Sequence, residues 1–135
     1  MIQTVKIFLI YYVFLLIANV LWNTFSLFLV LKFFVKFPQI IFKKLFFKFV
    51  IYTSLLSFAL FSLFSYSIDS ISIIANFWQQ SASQGTKFFI VLAMGIPLTI
   101  LNYYLSRRVF NLDKRKSLTI GILMGLLIAP WPALF

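Results

Sequence analysis

The sequence contains no cysteine and no histidine. A chain without thiolates or imidazoles builds no disulfide framework, no Cys/His metal site, no CxxC redox couple and no histidine-ligated haem. Acidic residues are almost as scarce: only Asp69 and Asp113 occur, too few for an oxygen-lined Ca²⁺ or Mg²⁺ cage. The four glycines form neither a phosphate-cradling loop nor a dinucleotide-binding pattern. Nucleophilic catalysis needs a base beside its nucleophile, and the many serines here have no histidine to serve them. The expectation is a protein that is not an enzyme and holds no metal or cofactor.

Charge is scarce altogether. Charged residues make up 10% of the 135 positions and apolar residues 63%, whereas a soluble domain carries roughly 25% and 45–50%. So few polar side chains do not cover a water-facing surface, whereas in a bilayer the outward positions can be apolar too. The 19 phenylalanines fit the same reading, since lipid tolerates Phe at any depth.

Four apolar runs follow one another: residues 7–31, 49–75, 88–106 and 117–135. About 20 apolar residues cross the hydrocarbon core, so each run is long enough or nearly so. The first is too long for a signal-peptide core of about 7–15 residues and is expected to stay as an anchor. Backbone polar groups facing lipid must be satisfied within their own segment, so the spans are expected to be helices. The predicted fold is an all-α integral membrane protein, a four-helix transmembrane bundle forming a single transmembrane domain over residues 1–135. Pro38 is expected to open the second helix at its first turn, and Pro97 to kink the third.

Cations set the expected orientation. Of twelve Lys and Arg residues, five lie between residues 32 and 48 and five between 107 and 116; only Lys6 and Lys87 lie elsewhere. Positive residues in short loops stay on the cytoplasmic side, so the first and third connections are predicted inside and both termini outside. Asp69 and Asp113 then fall on opposite faces and form no acid/base pair. The net charge of +10 flanks the spans on one face, a pattern that points to anionic lipid head groups rather than to nucleic acid. A bacterial inner membrane or plasma membrane is the expected location.

Polar residues inside the runs carry the remaining signal, because positions i, i+4 and i+7 share a helix face. Asn19, Asn23 and Ser26 share an arc of the first helix, with Trp22 beside them. Ser54, Ser57, Ser62, Ser65, Asp69 and Ser72 occupy one side of the second. Gly95, Thr99, Asn102 and Ser106 line a strip of the third, and Ser117, Gly121, Gly125 and Ala129 recur at every fourth residue of the last. Small residues let helices approach closely and amides hydrogen-bond across the gap, so helix packing explains all four stripes. A polar path is the competing explanation, with Asn19, Asn23, Asp69, Thr99 and Asn102 lining it and Asp69 as its carboxylate. Trp78 and Trp131 are expected at the outer interface.

The functional expectation is an accessory or structural subunit of a membrane protein complex, partnered by the bilayer and by other subunits or further copies of itself. The alternative is a small homo-oligomeric channel or transporter with a polar path between its helices. A membrane-perturbing protein is a third, weaker possibility.

Overall fold

A computed structural model describes the backbone of residues 2–81 and 83–129, and their side chains except at positions 2, 68, 69, 72, 74 and 81. The described residues are helical almost throughout, with no strand among them. Helix α1 (Ile2–Leu29) continues through a π-helical turn at Val30–Phe34, and a single 3-10 turn, Pro38–Ile40, follows. Helix α2 covers Lys44–Ser70 and the short α3 Ser72–Asn76; a second π-helical turn at Phe77–Ser81 leads to α4 (Gln84–Val109) and α5 (Lys114–Leu127).

Among the described residues, three helical stretches are long and apolar enough to cross a membrane: Gln3–Phe34, Lys44–Ser67 and Gln84–Val109. The first, with 32 residues, is about 48 Å long at 1.5 Å per residue and exceeds the roughly 30 Å of a hydrocarbon core, so only a tilted course would fit it within one. Helix α5 has 14 residues, about 21 Å, and is too short on its own. The backbone turns at Ile128 and Ala129, and the rest of the fourth apolar run, residues 130–135 with Trp131, lies outside the described residues.

Local chemistry accounts for the helix ends. At the end of α1 the Val35 amide donates to the Val30 carbonyl and the Phe37 amide to the Leu31 carbonyl, both at 2.9 Å. Between them Lys36 takes φ 54°, the left-handed position that so often follows a helix. Pro38 then opens only the 3-10 turn; α2 starts at Lys44 instead, because Phe42 reverses the chain with φ 58°. The second helix ends at Ser70, five residues before the end of the expected run, because Ile71 is extended (φ −97°, ψ 106°). Ser83 caps α4, its hydroxyl accepting from the Thr86 amide at 3.2 Å. Asp113 caps α5, accepting from the Lys116 amide at 2.8 Å. Asn111, at φ 53°, turns the chain between α4 and α5, and asparagine tolerates that region better than most residues. Pro97 lies inside α4, which stays helical through it.

The helices alternate in direction. Gly95 approaches Gly125 and Thr99 approaches Gly121, so α4 and α5 form an antiparallel hairpin. Asn23 meets Ser54 and Asn19 meets Ser57, which sets α1 against α2 in the same sense. The main apolar core lies at the end holding the first and third connections, where Leu31, Phe46, Phe49, Val50, Ile120 and Met124 are fully or almost fully buried. Phe49 stacks on Phe110 there, ring centres 5.0 Å apart. A smaller cluster at the opposite end joins Trp78, Val91 and Ala129. The start of α1 packs differently: every described side chain from Gln3 to Phe14 is exposed.

Candidate functional site

A polar network ties α1, α2 and α4 together in the middle of the bundle. On α1, Asn19 and Asn23 are one turn apart and face the same stretch of α2. Asn19 Nδ2 donates to the Ser54 carbonyl at 2.9 Å and to Ser57 Oγ at 3.1 Å. Asn23 Nδ2 donates to Ser54 Oγ at 3.0 Å, with longer contacts to Ser57 Oγ and Asn19 Oδ1, both at 3.4 Å. The two amides thus converge on the Ser57 hydroxyl, while Ser54 offers its carbonyl to Asn19 and its hydroxyl to Asn23.

On the other side of α2, Thr53 Oγ1 donates to Asn102 Oδ1 at 2.7 Å, and Asn102 Nδ2 donates to its own helix at the Leu98 carbonyl, also 2.7 Å. Asn23, Thr53 and Asn102 are fully buried, and Ser54 nearly so. A buried amide or hydroxyl is costly without a partner, so these groups stabilise the helix contacts that let them pair. Asn23 Oδ1, Ser26 Oγ and Ser117 Oγ are buried without a hydrogen-bond partner among the described residues.

Thr99 faces the other way, into the seam with α5. A Cβ added at Gly121 would sit 2.7 Å from the Thr99 carbonyl oxygen, and one at Gly125 would overlap the Thr99 hydroxyl and lie 2.8 Å from the Gly95 carbonyl oxygen. Only hydrogen fits at these two positions. Ser117, Gly121, Gly125 and Ala129 are all buried.

A cavity of about 380 Å³ lies beside the network, between α1, α2, α4 and the end of α5. Leu15, Phe61, Met94, Leu98 and Ile128 give it apolar walls, and Asn19 and Ser57 supply its polar edge. Trp22 also lines it and closes a backbone gap: its indole Nε1 donates to the Leu127 carbonyl at 2.8 Å. That carbonyl belongs to the last turn of α5, beyond the reach of the helix's own described amides, so the indole acts as a cap across the bundle.

Of the residues singled out in the sequence, Asn19 and Asn23 come together around Ser54 and Ser57, Asn102 stands apart on Thr53, and Thr99 belongs to the glycine seam. Asp69 lies in the last turn of α2, and its side chain is outside the described residues. Trp78 is buried against the Phe64 ring, with ring centres 5.4 Å apart and edge-on. Thr53 was not legible from the stripes, because a threonine in a helix can satisfy itself on its own backbone, as Thr24 does at the Val20 carbonyl (2.7 Å). No protein-family model, curated protein or solved structure matches the chain.

Proposed function

We propose that this chain is a four-span integral membrane protein of a bacterial inner or plasma membrane, and that it serves as an accessory or structural subunit of a larger membrane assembly. The first and third connections would face the cytoplasm and both termini the outside, with α5 and the residues after it forming the fourth pass. The supporting observation is what the intramembrane amides do. The Asn19 and Asn23 carboxamides donate to α2, and Asn102 is held by Thr53 and its own helix. Residues used in this way hold a bundle together and present no ligand, base or carboxylate to a substrate. The exposed start of α1 leaves apolar surface for a neighbouring subunit.

Purification in mild detergent with mass spectrometry of whatever accompanies the chain tests this reading. A stoichiometric membrane partner is expected. Recovery of a homogeneous homo-oligomer, with nothing else in stoichiometric amount, would count against it.

The cavity beside Asn19 and Ser57 supports a second reading, a small homo-oligomeric channel or carrier. Flux through proteoliposomes that falls with Asn19→Leu or Asn102→Leu would favour it. Flux unchanged by both substitutions would remove it.

A further inference from the structure

Ten cations occupy residues 32–48 and 107–116, against a single acid, Asp113. The fold brings these two segments together at one end of the bundle. Besides the Phe49–Phe110 stack, the Lys116 ammonium of α5 lies 5.6 Å from the centre of the Phe37 ring, in the first connection. Asp113 is engaged in capping α5, and one carboxylate does not balance ten cations. The counter-charge for this end has to come from outside the chain.

The lysines are shelved on aromatic rings. The Lys32 ammonium lies 5.3 Å from the Phe28 ring centre and 5.4 Å from that of Phe33, and Lys48 lies 6.0 Å from Tyr52. Such contacts hold each ammonium near a ring face. Between the lysines, Phe33, Phe34 and Phe42 are 59–61% exposed. Two residues of the same corner, Lys36 and Phe42, hold left-handed backbone angles of 54° and 58°.

A surface that is cationic and carries bare phenyl rings within the same few residues matches a medium that is anionic and apolar over the same short depth. The boundary between phosphate and acyl chain in an anionic leaflet is such a medium. A double-stranded nucleic acid, its bases already stacked, or an acidic soluble protein would neutralise the lysines but leave the rings in water.

We infer that this end of the molecule carries a binding site for an anionic phospholipid. Its phosphate is held where Lys116 meets the Lys36–Phe37 corner, and its acyl chains cover Phe33, Phe34 and Phe42. The inference rests on the reading of the chain as membrane-spanning with these two connections on one face, and deepens it: the cations select a lipid as well as orienting the protein.

The test is native mass spectrometry of the full chain in a neutral detergent, titrated with phosphatidylglycerol or with phosphatidylcholine of the same chain length. Phosphatidylglycerol should be retained preferentially, and its retention should weaken as salt rises. The K36Q/K116Q double variant should bind it about fivefold more weakly per lysine removed, the equivalent of the ~1 kcal/mol each lysine gains near an anionic surface. The K6Q/K87Q variant, which alters the two cations outside the cluster, should bind as the parent does. Equal retention of the two lipids, salt-independent binding by the unaltered chain, or an equal loss in K6Q/K87Q would overturn the site. So would a short RNA or an acidic peptide that phosphatidylglycerol does not displace. Single cysteines at positions 43 and 115, labelled in sealed vesicles, report separately on the membrane reading: labels on opposite faces defeat the topology whatever the lipid titration gives.

Discussion

Asn102 sits fully buried with both ends of its amide occupied, the oxygen by Thr53 on α2 and the nitrogen by the Leu98 carbonyl. Removing one partner from such a pair leaves the other desolvated and unpaired, whereas removing both leaves only apolar contact. Thr53→Val should therefore destabilise the bundle by about 1–2 kcal/mol, near the upper range for interhelical bonds in membranes. Adding Asn102→Leu to it should restore part of that loss, as measured by unfolding in detergent micelles; purely additive effects would mean the contact contributes nothing. The three asparagines were legible in the sequence because an amide in hydrocarbon has only protein to bond to. Their partners were less so. Serine and threonine satisfy themselves on a preceding carbonyl, as Ser67 does on Leu63 at 2.8 Å, so their presence in a span says little. Trp22 was harder still, since its partner carbonyl is free only because α5 ends at Leu127.

Between elements, the seam of α4 and α5 depends on two hydrogens. Gly121→Ala and Gly125→Ala should each force the helices apart at a cost of about 1–3 kcal/mol, the usual range for overpacking. A Cβ at Gly85 would meet nothing closer than Ser83 Oγ at 3.9 Å, so Gly85→Ala should leave stability within about 0.5 kcal/mol, as for surface positions in general. Thermal unfolding of the three variants in one detergent compares them directly, and equal melting temperatures would remove the seam from the account. This pairing could be read in advance, because small residues at every fourth position have one common use in a membrane helix. Helix ends could not be read as well. Pro38 looked like a helix start, yet the chain makes one 3-10 turn there and reverses at Phe42 before α2 begins at Lys44. No local propensity places a phenylalanine at positive φ; packing of its ring against Phe28 and Phe46, with centres at 6.0 and 5.4 Å, accompanies it.

For the molecule as a whole, apolar length and the placement of charge both bear on the same question. Three helices reach spanning length, and the chain alternates direction from α1 to α2 and from α4 to α5, which brings the two cationic connections to one end. A protein that crosses a bilayer this way has to show one face of the membrane residues 32–48 and 107–116, and the other face Lys87. The chain has no cysteine, so single cysteines can be introduced without background. The decisive measurement is the reaction of Lys43→Cys, Lys87→Cys and Arg115→Cys with a membrane-impermeant maleimide in sealed, oriented vesicles. The account predicts that positions 43 and 115 react from the same side and position 87 from the other. Labels at 43 and 115 on different sides, or at 43 and 87 on the same side, would contradict it.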